Sequence, residues 1–180
     1  MKALFAAAAL GLAALAGAAG AEPPQGAAAP APTLTYVFTV KVTLDPAVEV
    51  GPSEGGRRRF IAITGGEVYG PRLHGKVLPG GGDWQTILPE GLTKVEAHYF
   101  LKTDSGAVIE VTNPGLRTAT ADVVERLAKG ENVDPALYYF RTTPSFRVAG
   151  GELDWLARHA FVARGIRRPD HVLIDYYMVE

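Results

Sequence analysis

In "TLTYVFTVKVTL", from Thr33 to Leu44, the residues Leu34, Tyr36, Phe38, Val40, Val42 and Leu44 alternate with Thr33, Thr35, Thr39, Lys41 and Thr43. A period of two puts one set on a buried face of a strand and the other toward water. Val and Thr add strand propensity. Shorter runs follow, each closed by turn residues. "RRFIAIT" ends at Gly65-Gly66, "GEVYG" at Pro71, "RLHGKVL" at Pro79-Gly80 and "DWQTIL" at Pro89-Glu90-Gly91. "LTKVEAHYFLKT" and "AVIEVTN" flank Asp104-Ser105-Gly106, a hairpin signal. "ALYYFRTT", "DWLARHAFVARG" and "HVLIDYYMVE" complete the set of expected strands. Turn signals at this spacing predict an all-β sandwich or barrel. "DPAVEVGPSEGGRRR" is broken by Pro46, Gly51, Pro52, Gly55 and Gly56 and is expected to be a long loop. One stretch departs from period two. Val123, Val124, Leu127 and Ala128 have helical spacing, Thr120 can cap the start and Gly130 can end it, which predicts one short surface helix from Ala121 to Lys129.

The first 21 residues stand apart. They have a basic start at Lys2, an apolar run from Ala3 to Leu15 and a small-residue end at Ala19-Gly20-Ala21. That is the pattern of a cleaved signal peptide, and the apolar run is shorter than the ~20 residues a membrane-spanning helix needs. The expected location is therefore periplasmic or secreted, with no membrane contact after cleavage. Residues 22–32, "EPPQGAAAPAP", contain four prolines and no apolar periodicity, and read as a flexible Pro/Ala-rich linker before one domain spanning 33–180. Loss of Lys2 leaves 17 basic against 19 acidic residues, a net charge of −2. This balance excludes an electrostatic footprint for nucleic acid. The chain has no cysteine, which removes disulfides, thiol catalysis and Cys-ligated metal.

Several motifs begin and then fail. "GPRLHGKV" matches G-x-x-x-x-G-K, but Val77 replaces the Ser or Thr that holds magnesium. His74, His98, His159 and His171 show no local metal-pair spacing. None of Ser53, Ser105 and Ser145 lies in G-x-S-x-G. No metal and no cofactor is expected. What remains is polar residues within apolar strands. Asp83, Gln85 and Ile87 share one face of "DWQTIL", with Trp84, Thr86 and Leu88 on the other. Glu96 and His98 lie opposite Tyr99, Arg141 sits between Phe140 and two threonines, and Arg158 shares a face with Leu156. Such residues either face solvent, as half of any antiparallel strand does, or surround a ligand inside a barrel.

Four strings together resemble the DUF3237 (UPF0311) family of bacterial and fungal proteins. They are G-G-x-x-x-G-P at Gly65 to Pro71, G-G-x-D-W-Q at Gly80 to Gln85, Y-F-R-T-T-P-x-F at Tyr139 to Phe146, and W-L-x-R at Trp155 to Arg158. The resemblance covers nearly all of Thr33 to Glu180. It implies a single antiparallel β-barrel, calycin-like or allene-oxide-cyclase-like, and assigns no activity. Two positions depart from the family pattern: Ala157 stands for Asn in W-L-N-R, and His98 stands for Arg before Tyr99. If these line a pocket, the ligand differs from that of other members.

The sequence thus reads as an exported barrel that holds a small, partly apolar ligand bearing an anionic or carbonyl group. In this reading Arg141 and Arg158 bind oxygens through charge-assisted hydrogen bonds. Trp84, Tyr99 and Trp155 supply apolar walls, and Gln85 lies beside them. Asp83 and His98 form the candidate acid/base pair for isomerase, cyclase or lyase chemistry, which needs proton transfer and no cofactor. The alternative is a non-enzymatic binding or assembly protein, including a homo-oligomer, whose polar residues form a structural network.

Overall fold

The fold is that of a computed structural model, which describes residues 30–180. The signal peptide and nearly all of the linker expected from the sequence, residues 1–29, lie outside the described residues. The compact unit is Pro32–Glu180. Its strands are β1 (Leu34–Leu44), β2 (Val48–Ser53), β3 (Gly56–Tyr69), β4 (Gly75–Val77), β5 (Gly81–Ile87), β6 (Leu92–Thr103), β7 (Val108–Ala119), β8 (Tyr138–Thr142), β9 (Ser145–Arg147), β10 (Phe161–Arg167) and β11 (His171–Val179). Two short helices, α1 (Ala121–Ala128) and α2 (Asp154–Arg158), complete it.

Eight strands pair antiparallel in a closed, barrel-like ring: β1, β3, β5, β6, β7, β8, β10, β11 and back to β1. The remaining three are accessory. β4 follows β5 along the gap between β3 and β6, β9 follows β8 along β7, and β2 folds back on β3. The chain's first and last strands are ring neighbours. The Thr33 amide donates to the Glu180 carbonyl at 2.9 Å, and the Glu180 amide returns the bond at 3.0 Å.

The alternation expected in β1 holds only after a bulge between Tyr36 and Phe38. The extra residue shifts the pleat, so Val37 and Phe38 are both fully buried while Leu34 is 58% exposed. The two runs expected on either side of Gly65-Gly66 are one long strand, β3. Gly66, at φ 140°, lets it bend against β1; a Cβ there would lie 1.8 Å from the Lys41 carbonyl oxygen. The expected long loop at 45–59 contains β2. Its side chains are mostly exposed, so it has no apolar pattern, and Gly55 and Gly56 make a tight turn back into β3.

The expected single helix is α1, ending at Ala128. Thr120 precedes it, but its hydroxyl donates to the Asp122 carboxylate at 2.5 Å and caps no backbone amide. A second helix was not expected. "DWLARHAFVARG" is not one strand: Asp154 to Arg158 is helical, and β10 starts at Phe161. Asp154 lies in the first turn and Arg158 in the last, the order the helix dipole favours.

Inside the ring Phe38 stacks on Tyr176 at 4.6 Å, and Phe146 packs edge-on against Phe161 at 5.0 Å. Leu156 of α2 is buried in this cluster. A smaller cluster joins Val123 and Leu127 of α1 to Val95, Val133, Tyr138 and Phe140. Leu156→Ala is expected to cost about 2–5 kcal/mol in urea unfolding, because it empties the anchor of α2. Ala157→Asn, on the exposed side of the same turn, should stay within about 0.5 kcal/mol. Equal effects at the two positions would overturn this account of α2.

Candidate functional site

Strand register assigns each inward side chain a neighbour. Ile61, Asp83, Ala97 and Asn113 form one row across β3, β5, β6 and β7. Arg59, Gln85, Val95, Gly115, Thr142 and Ala163 form the next, continuing through β8 into β10. Thr93, Arg117 and Phe140 follow. The rows end at a mouth of the ring, where a cleft of about 430 Å³ opens between β3, β7, β10 and α1. Arg59, Arg117 and Arg167 all line it. That volume is in the range of small-molecule sites.

One hydrogen-bonded chain runs inward from this mouth. Arg59 donates to Gln85 Oε1 from Nε at 2.8 Å and from Nη2 at 2.6 Å. Gln85 Nε2 donates to Asp83 Oδ2 at 2.5 Å, and the Glu96 amide donates to Asp83 Oδ1 at 3.1 Å. Arg117 makes no side-chain hydrogen bond among the described residues; its guanidinium lies 6.0 Å from the Phe140 ring centre. Arg167 reaches the His171 carbonyl at 3.4 Å, and its amide donates to the Tyr138 hydroxyl at 2.9 Å.

Arg57, Arg59, Arg117, Arg167 and Lys129 line the cleft with two carboxylates, Asp45 and Asp170, a net charge of +3. The groups feel this imbalance. Burial first, then Arg59 and Arg167, lower the Arg117 pKa to about 10, which leaves it charged at neutral pH. Arg59 and Arg167 are also lowered, each mainly by burial. Burial raises the Asp83 pKa, although Gln85, the Glu96 amide, Arg117 and Arg59 all pull the other way. The result is a largely buried carboxyl beside an excess of positive charge.

Behind the mouth is a small pocket of about 40 Å³. Asp83, Tyr99, Asn113 and Thr142 line it with apolar residues of β1, β10 and β11. Small residues create it. Ala97 separates Asp83 from Asn113, and Gly115 faces Thr142, whose methyl a Cβ at 115 would meet at 2.5 Å. A third hollow, of about 470 Å³, sits by Lys76 and Lys102 at the β6–β7 turn, with no buried polar side chain.

The residues expected to form the site divide between the two faces of the sheet. Asp83, Gln85 and Tyr99 point inward. Tyr99 is buried, its hydroxyl bonds that of Tyr176, and burial raises both phenol pKa values. The others lie elsewhere. His98 is on the outer face of β6, bonded to Glu110 at 2.9 Å, so it does not meet Asp83. Trp84 is 42% exposed and packs outside on Phe60 at 5.0 Å. Arg141 is exposed beside Tyr139, because Phe140 and Thr142 on either side of it face in. Arg158 pairs with Asp154 at 3.7 Å on the exposed side of α2. Trp155 lies under the Arg72 guanidinium at 3.9 Å and lines neither cavity. The two departures from the family pattern, Ala157 and His98, are likewise outside both.

The sequence reasoning missed Arg59, Arg117 and Arg167, yet the signal is present. Each continues the inward phase of its strand: Arg59 after Ile63 and Ile61, Arg117 after Asn113 and Gly115, Arg167 after Ala163 and Gly165. Among the described residues no group of three or more His, Asp or Glu comes together at metal-binding distance.

A family model described as "Protein of unknown function (DUF3237)" matches residues 32–179. A UPF0311 protein of Rhodopseudomonas palustris is 43% identical over 150 residues, 82% of this chain and 98% of that one. The crystal structure of a conserved protein of unknown function from the same species superposes with a TM-score of 0.81 at 39% identity, covering 84% of this chain and all of that one. A β-barrel-like protein from Acinetobacter baumannii gives 0.75 at 35% identity, covering 86% and 99%. The hydroalkoxylation enzyme phnH of Penicillium herquei is 33% identical over 81 residues, 45% of this chain and 54% of that enzyme. An enzyme structure from the same fungus shares the fold, with a TM-score of 0.64 at 22% identity over 86% of this chain and 99% of that one.

The raised pKa of Asp83 fixes the sign of a pH effect. A carboxyl that titrates higher when folded stabilises the fold fully below its unfolded value, about 3.9, and loses that contribution as pH rises through the folded value. Asp83→Asn removes the titration. The melting temperature of the variant minus that of the parent should therefore increase from about pH 4 toward neutrality. A flat or falling difference would show that the carboxylate is stabilised where it sits.

Proposed function

The chain belongs to DUF3237, a family whose description assigns no activity, and we propose that its barrel mouth binds a small, partly apolar organic anion with which Asp83 exchanges a proton. The observation that carries this reading is the charge imbalance. Arg59, Arg117 and Arg167, with Arg57 and Lys129, line a partly buried cleft against two carboxylates, Asp45 and Asp170, and burial lowers the pKa of the first three. A bound carboxylate relieves their repulsion and accepts hydrogen bonds from Arg117, each charged bond being worth about 1.5–3 kcal/mol. The ligand's apolar body faces Ile61, Ile87, Val124 and Leu127.

The chemistry follows from Asp83. A carboxyl can give a proton to a carbon or oxygen of the ligand and take one back from another atom, in either order. The proton count is unchanged at the end of the cycle and no cofactor takes part. Isomerisation, cyclisation and lyase reactions fit this demand. The name of phnH favours one variety, addition of a hydroxyl across a carbon–carbon double bond. There the oxygen forms the C–O bond, Asp83 protonates one alkene carbon, and the hydroxyl proton returns to Asp83.

A thermal melt tests the binding step. Citrate should raise the melting temperature more than chloride at equal ionic strength, since a ligand at a hundred times its Kd adds about 2.7 kcal/mol. Arg117→Met should abolish the difference, and Arg141→Met, on the outer face, should leave it intact. Equal responses from all three proteins would sink the proposal. The Arg59–Gln85–Asp83 chain favours a second reading, a structural network in a non-enzymatic binding or assembly protein. In that case Asp83→Asn should cost about 3–5 kcal/mol of stability. In the site reading it leaves stability unchanged or higher.

We also place the protein outside the cytoplasm, on the signal-peptide pattern of residues 1–21. Among the described residues no helix is long and apolar enough to cross a membrane. The intact mass of protein from a periplasmic extract should correspond to a chain starting at Glu22; a chain starting at Met1 would refute the assignment.

A further inference from the structure

The small pocket behind the mouth contains two oxygens that no protein group satisfies. Asn113 is 1% exposed and Thr142 is 3% exposed, and Asn113 Oδ1 and Thr142 Oγ1 have no hydrogen-bond partner among the described residues. Buried polar atoms are nearly always paired, because an orphan in a low-dielectric interior is costly. Here two occur in residues lining one pocket of about 40 Å³. Neither is forced by the fold. Valine has the shape of threonine, and leucine nearly that of asparagine. The other end of the amide is engaged: Asn113 Nδ2 donates to the Tyr176 hydroxyl at 3.4 Å.

The chemistry of the two atoms selects the group that would fill the pocket. Asn113 Oδ1 can only accept, so the missing partner must donate. Thr142 Oγ1 can donate or accept. A carboxylate or ketone has no proton to offer Asn113. An ammonium group would enter past Arg59, Arg117 and Arg167 and shed its water among Val42, Ile63 and Phe140. A hydroxyl meets every demand. It donates to Asn113, accepts from Thr142, carries no charge and fits the volume. Asp83 lies in the same pocket, two strands from Asn113 across Ala97, about 10 Å by strand spacing.

We infer that this pocket is a hydroxyl subsite, and that the ligand is a hydroxy acid whose anionic end stays with the arginines while its hydroxyl is held between Asn113 and Thr142. The inference rests on the proposed anion site for one end of the molecule and on the two orphan oxygens for the other.

Calorimetric titration with the ω-hydroxy acids from hydroxybutanoate to hydroxyoctanoate, each paired with the alkanoate of equal length, tests it. At one chain length the hydroxy acid should bind the unaltered protein at least about tenfold more tightly than its alkanoate. Thr142→Val should erase that preference and leave alkanoate affinity within about twofold, with a melting temperature that holds or rises because an orphan oxygen is gone. Asn113→Leu should erase it too. Arg117→Met should weaken both acids by the same factor. Equal binding of hydroxy acid and alkanoate at every length overturns the hydroxyl subsite and leaves the anion site standing. A preference that survives both pocket variants does the same. A preference lost with Thr142→Val, with the affinities of both acids unmoved by Arg117→Met, refutes the arginine site and keeps the hydroxyl pocket. Failure of every acid in both series to bind overturns both.

Discussion

An eight-stranded ring encloses a space that its own inward side chains are sufficient to fill. Every inward position is therefore a choice between packing and opening. Over most of this ring the choice is packing: Phe38, Tyr176, Tyr99 and Leu101 are almost completely buried. Ala97, Gly115, Ala163 and Gly165 come in the same inward phase and leave room. Gly165 accommodates the Phe140 ring, which a Cβ would meet at 2.4 Å. The site is what remains where small residues and polar residues interrupt the packed rows.

That geometry sets the electrostatics. Arginines at the mouth cannot move away from one another without leaving the ring, and the strand register spaces them across β3, β7 and β10. Gln85 gives Arg59 a neutral acceptor and turns its other end to Asp83. Arg117 is left uncommitted among the described residues. A fold free to optimise stability alone would have paired Arg117 with a carboxylate, or buried none of the charges. Retaining the imbalance makes sense where an anion arrives from outside.

The sequence reveals strands better than faces. The hairpin at Asp104-Ser105-Gly106 and the helix beginning at Ala121 are legible because turn and capping chemistry is local. The direction of an individual side chain is not, since a single bulge at Tyr36–Phe38 inverts the phase of β1. Phase also explains which site residues were visible. Arg141 stands out in "YYFRTT" because it interrupts apolar residues, yet interruption means it points the opposite way. Arg59 hides in Arg57-Arg58-Arg59, a run with no phase of its own, and only its step to Ile61 and Ile63 turns it inward. Trp155 and Arg158 were read on a strand. "DWLAR" instead forms a helical turn, anchored by Leu156, a tertiary contact that local propensity does not contain. The barrel-like all-β class needed only the spacing of turns and the family strings.

The pairing of β1 with β11 has a consequence in time. The ladder from Leu34–Val179 to Thr43–His171 joins residues more than a hundred positions apart, and without it the ring is an open sheet with two unpaired edges. Contacts of such sequence separation are the slow ones to form, because the loop between them must be ordered first. During synthesis the strands up to β10 can associate while the seam stays open, with β1 exposing Val40 and Val42 until its last neighbour emerges. Completion is thus all-or-nothing at the C-terminus. A chain that stops short of β11 lacks one stave and also leaves two sticky edges, and its fate is association with other chains.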